Sequence, residues 1–180
     1  AECKTGTTNT GRAACVSAWQ NILMVHGSTP FDCGFIANIS HAPSTGGEHF
    51  TAYIGLFDQI TATPTDGRFF RADENNGNWF AVTLEGGVET TATDTGVSAN
   101  STWHAFKITI DTATPGVDYQ IDNNSVISHT TSATPGLGFT FCGVSITKTA
   151  LTTSRQINLD AIRMNMPGVD LTANPEYGYL

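Results

Sequence analysis

Glu85 and Glu89 are the carboxylates whose spacing comes nearest to a catalytic pair. Retaining glycoside hydrolysis needs two carboxyl groups about 5–5.5 Å apart, one acting as acid and one as nucleophile. Residues four apart on one strand share a face and meet that separation only roughly. Here Gly86-Gly87 falls between the two glutamates and reads as a hairpin turn, which puts them on different strands. No E-x-D-x-x-E run occurs, and there is no G-x-S-x-G elbow and no G-x-x-x-x-G-K-[ST] phosphate loop. The sequence therefore offers no enzyme active site.

Asp73, Glu74, Asn75 and Asn76 form the densest oxygen-rich stretch. Calcium takes about six to eight oxygen ligands, and Asp73, Glu74 and Asn75 are its candidate ligands. The same residue types dominate turns because their side chains bond local backbone. No other cofactor has a candidate site. His26, His41, His49, His104 and His129 show no tight metal spacing. His41 and His49 with Glu48 have ligand chemistry, but their Gly-rich surroundings read as a surface loop. Asp118, Asp122 and Asp160 read as ladder ends or caps. The four cysteines, Cys3, Cys15, Cys33 and Cys142, contain no C-x-x-C pair. They fit two disulfides, Cys3 with Cys15 and Cys33 with Cys142, or four ordinary thiols. Cys33 and Cys142 lie in apolar strand patterns, where a free cysteine is a small hydrophobe. Tyr53, Phe57, Phe70, Trp79 and Trp103 have faces on which a sugar ring can stack, yet all lie in strand patterns, and burial accounts for most of them. Sequons open at Asn38, Asn100 and Asn123, as chance provides in a Thr-rich chain.

The elements that must position these residues are strands. Phe31, Cys33, Phe35, Ala37 and Ile39 share one face; Phe50, Ala52, Ile54 and Leu56 do the same, with Tyr53 and Phe57 opposite. Phe106, Ile108 and Ile110 alternate with Lys107 and Thr109, and Val117–Ile121 and Cys142–Ile146 repeat the period of two. Asp66-Gly67, Asn76-Gly77, Gly86-Gly87 and Asp122-Asn123-Asn124 mark turns, while Pro64, Pro115 and Pro135 lie in links. The pattern predicts about ten short strands: Phe31–Ile39, Phe50–Asp58, Gly67–Ala72, Trp79–Leu84, Val88–Asp94, Trp103–Asp111, Val117–Ile121, Val126–His129, Phe139–Thr147 and Ile157–Met166. Phe35, Ile54, Phe106, Ile108, Ile110, Tyr119 and Val144 form the expected core. Ala13–Met24 reads either as a helix, favoured by Ala18 and Leu23, or as a strand and a loop. Residues 1–166 make one domain whose first 24 residues are partly irregular. Residues 167–180 form an arm without alternation that keeps Val169, Leu171, Tyr177, Tyr179 and Leu180.

Length and charge narrow the function. A chain of 180 residues suits one domain with a substantial core. Charged residues make up only 13 %, and the formal net charge is −8 with eight Lys and Arg. That balance argues against binding nucleic acid, whose phosphates need cations, and against an anionic membrane surface. No apolar run approaches the ~20 residues of a membrane span. Ala1 fits either Met removal or signal cleavage.

The ordered pieces TGTTNTGRA (5–13), YIGLF (53–57), TDGRFF (65–70), GNWFAVT (77–83), GVETTATDT (87–95), WHAFKITI (103–110), DYQIDN (118–123) and 158–166 resemble a family of jelly-roll domains with the concanavalin A-like fold, found in tailed-phage and prophage structural proteins. The resemblance implies an all-β, two-sheet antiparallel jelly-roll sandwich of concanavalin A-like or laminin G-like type. Extended terminal arms complete the expected fold, but the C-terminal arm and the four cysteines are departures from the family pattern. The resemblance implies that Trp79 and Trp103 are core. It further implies a non-enzymatic structural protein at the virion surface, a capsid decoration, head fibre or tail component. Its partners would be copies of itself, coat or tail proteins and host glycans, with no nucleic acid and no membrane insertion. The four cysteines favour the alternative, a secreted carbohydrate-binding module or extracellular filament subunit.

Overall fold

The computed structural model describes residues 1–8, 10–16, 31–41, 49–73, 77–111, 116–130, 141–150 and 152–165. They form twelve strands and no helix. The first sheet runs β1 (Glu2–Lys4), β12 (Gln156–Asn165), β3 (Phe31–Ile39), β8 (His104–Asp111), β9 (Gly116–Ile121), β10 (Ile127–Thr130). The second runs β2 (Gly11–Val16), β11 (Phe141–Lys148), β4 (Phe50–Phe57), β5 (Gly67–Ala72), β6 (Asn78–Glu85), β7 (Val88–Ser98). Every pairing is antiparallel. The chain is a two-sheet jelly-roll sandwich.

The alternation explains this architecture. The seven residues expected in the core are all buried, in one cluster between the sheets. Aromatic rings run through it. Phe106 lies 5.0 Å from Trp79 and 5.1 Å from Phe70, and Phe70 meets Tyr119 edge-on at 5.4 Å. Tyr53 and Phe57, out of phase with Ile54, instead join Phe69, Val82 and Leu84 in a second buried cluster on the outer face of the second sheet. At the β6–β7 hairpin, Gly86 (φ 57°) and Gly87 (φ 78°) both take the left-handed conformation that a two-residue turn of this hand demands.

Several expectations need correction. Trp103 is 49 % exposed, just before β8 begins, so of these two only Trp79 is a core tryptophan. Cys3 and Cys15 form a disulfide that ties the edge strand of one sheet to that of the other. The expected Cys33–Cys142 bond is absent: both are free, buried thiols with their sulfurs 3.3 Å apart, facing each other from opposite sheets. Asp118 is no ladder end, since it lies within β9 opposite Thr109 and Ser128. Asp160 stands at the bulge where β12 shifts register against β3. Ala13–Val16 is strand, because pairing with β11 outweighs the weak helix preference of alanine. Residues 17–24 and the arm bearing Val169, Leu171, Tyr177, Tyr179 and Leu180 lie outside the described residues.

Candidate binding site on the outer face of the first sheet

The residues with the most reactive chemistry are engaged elsewhere. Arg68 and Arg71 are three apart on β5 and so point to opposite faces. Arg68 is buried between the sheets, bonded to Glu85 at 2.6 Å and to the Leu84 carbonyl at 3.0 Å. Arg71, on the outer face, pairs with Glu89 and with Asp73 at 3.1 Å. The two glutamates therefore lie on opposite sides of the second sheet, each tied to an arginine, and cannot attack one bond together. Asp73 is likewise committed, while Glu74 and Asn75 lie outside the described residues. Among the described residues, no group of three or more His, Cys, Asp or Glu converges as a metal site.

His129 and His104 have structural partners. His129 on β10 is buried, with Nδ1 2.9 Å from the Thr83 hydroxyl and Nε2 3.1 Å from that of Thr93. It thus bridges the outermost strand of one sheet to β6 and β7 of the other. Burial, aided by the nearby Arg68 guanidinium, lowers its pKa. The Tyr119 hydroxyl joins this network, donating to the Val82 carbonyl at 2.7 Å, and burial raises its pKa. His104 Nδ1 lies 2.8 Å from Asp122, whose other oxygen accepts the Ala105 amide at 2.9 Å. Burial alone would raise the Asp122 pKa, but these two contacts hold it below the ordinary carboxylate value. His41 bonds Ser40, and His26 and Glu48 lie outside the described residues.

Of the five candidate sugar-stacking aromatics, Tyr53, Phe57, Phe70 and Trp79 are buried, and only Trp103 presents a broad exposed surface. What the sequence does not disclose is a groove of about 500 Å³ on the outer face of the first sheet, across β12, β3 and β8. Strand register builds it in rows. Ala161, Ile36 and Ala105 lie side by side and form an apolar row, with Ile36 41 % exposed. The next row is Arg163, Gly34, Lys107, and the one beyond it Asn165, Asp32, Thr109. Asp32 accepts the Thr109 hydroxyl at 2.7 Å and lies 3.4 Å from the Lys107 ammonium. An exposed apolar strip bordered by directional polar groups suits a ligand with both apolar faces and hydroxyls.

A family model for the SO2946-like C-terminal domain matches residues 1–160. The chain belongs to this family. A solved structure of related name, that of the protein of unknown function SO2946 from Shewanella oneidensis MR-1, is 17% identical with a TM-score of 0.53, covering 86% of this chain and 68% of that one. The carbohydrate recognition domain of Emp47p superposes with a TM-score of 0.58 at 10% identity, over 89% of this chain and 81% of its own. A sialidase gives 0.55 at 4% identity over 93% of this chain, which spans only 15% of the sialidase's length. The search of curated proteins found no match. At these identities the likenesses establish the sandwich fold that the family shares. They include a carbohydrate recognition domain and a sialidase, and they carry the fold of the phage resemblance without its phage setting.

Proposed function

We propose that this domain is a non-catalytic carbohydrate-binding sandwich that docks a glycan along the outer face of β12, β3 and β8. The observation that carries the reading is the exposed Ala161–Ile36–Ala105 row bordered by polar rows. Sugar rings offer apolar C–H faces and a rim of hydroxyls, and such a surface complements both. The fold shared with a carbohydrate recognition domain supports it. A binding rather than a catalytic role is favoured because Glu85 and Glu89 are ion-paired on opposite faces. The Cys3–Cys15 disulfide favours an oxidising setting, either secreted or at a particle surface.

A glycan array probed with the domain, followed by calorimetry on the best ligand, tests the reading. Ile36→Asp places a charge in the apolar row at an exposed position, so it is expected to abolish binding while leaving the melting temperature near that of the parent. Absence of any glycan ligand would refute the proposal, as would undiminished binding by Ile36→Asp.

A further inference from the structure

Gly34 stands in the middle of a nine-residue strand, where glycine weakens pairing and is usually explained by a bulge, a tight bend or a close approach. All three explanations fail here. The register of β3 with β8 runs unbroken through Gly34. The bulge between β3 and β12 lies at Leu159/Ala161, beyond the Ile36 pairing. Gly34 is not among the residues with positive φ. A side chain would fit without conflict, since a Cβ built there meets only the Phe106 carbonyl oxygen at 3.7 Å, an ordinary contact. The backbone does not need glycine at this position, so what glycine leaves is open space on the sheet surface.

That space has a charge. Gly34 pairs with Arg163 on one side and Lys107 on the other. With neighbouring strands about 4.8 Å apart, the two cationic stems rise about 10 Å apart with nothing between them. Asp32 offsets Lys107 from the next row, and its second neighbour, the Thr109 hydroxyl, already occupies part of its accepting capacity. Arg163 has no ion pair among the described residues. One excess positive charge therefore sits in this groove, on a chain whose formal net charge is −8. A guanidinium presents paired donors that match two oxygens of one carboxylate or of a tetrahedral oxyanion.

We infer that the Arg163–Gly34–Lys107 row is an anion subsite, and that the ligand is an acidic saccharide whose carboxylate or sulfate sits over Gly34 while the adjoining ring lies on Ala161, Ile36 and Ala105. This rests on the glycan-binding reading and narrows it. Calorimetry with the whole chain would compare an oligogalacturonate, the same oligosaccharide as its neutral methyl ester, and a sulfated oligosaccharide built of sugars that carry no carboxylate. The acid or the sulfate should bind about tenfold tighter than the ester, and the preference should shrink in high salt. Arg163→Gln should remove the preference. Gly34→Leu should lower binding of the acidic ligand to the level of the ester or below, with the melting temperature retained. Stronger binding of the uronate or of the sulfate identifies which anion is seated. If acid, sulfate and ester bind the parent equally and Arg163→Gln changes nothing, the anion subsite is overturned while glycan binding stands. If none binds, the broader reading fails and this inference with it.

Discussion

Phe106 is the side chain on which the two sheets depend most directly, since its ring touches Trp79 and Phe70 across the interface and His104 on its own strand. Truncation would leave a void that neighbours on two stiff sheets cannot fill. Phe106→Ala is expected to cost about 3–5 kcal/mol in a urea melt; a loss below about 1 kcal/mol would show that the void closes. His129 carries a different dependence. Its pKa in the fold lies below the ordinary value because burial, and then Arg68, disfavour the imidazolium. The unfolded chain therefore binds the proton first as pH falls. The stabilisation is complete above the unfolded value of about 6.5 and is lost as pH drops through the lower folded value. Melting temperature should fall between neutral pH and pH 5 more steeply for the parent than for His129→Gln. Parallel pH curves for the two would remove His129 as the cause.

Ten of the twelve strands were legible, some because they carry a period of two, as Phe31–Ile39 and Phe106–Ile110 illustrate, and the others, such as Gly67–Ala72, because turn residues bound them. β1 and β2 were not. The first has three residues, and the second, GRAACV, has too little contrast between its faces to show a period. Trp103 was expected in the core on the resemblance alone, whereas the alternation of Phe106, Ile108 and Ile110 runs through even positions and gives residue 103 no inward place. The groove was illegible for a deeper reason: its rows join residues near positions 34, 107 and 163, and only strand register brings them together. Register also explains the thiols. β3 and β11 each bury one cysteine on the inner face, so Cys33 and Cys142 meet across the sandwich, where burial, reinforced by the neighbouring thiol, raises the Cys33 pKa. Neither should react with an aromatic disulfide reagent in the native protein, and both should react once guanidinium unfolds it. Rapid labelling of either under native conditions would contradict this packing.

At the scale of the molecule, the first sheet is assembled from distant parts of the chain. β12 lies between β1 and β3, with Cys3 opposite Ile157 and Ile39 opposite Ile157 on the other side. Removing residues 156 onward should therefore abolish cooperative unfolding rather than merely lower its midpoint. A shortened chain that still melts in one sharp transition would show that the second sheet carries the fold alone. The N-terminal disulfide sharpens the issue. Cys3 and Cys15 are only 12 residues apart and can join early, yet β1 has no strand to pair with until β12 exists. A ribosome delivers β12 after the other eleven strands described. Throughout synthesis, β3 then shows an unpaired edge with a buried-type inner face, a template for another nascent chain. The hazard for this protein is thus one of timing: its yield should depend on how fast the last strand arrives and inserts, more than on how stable the finished sandwich is.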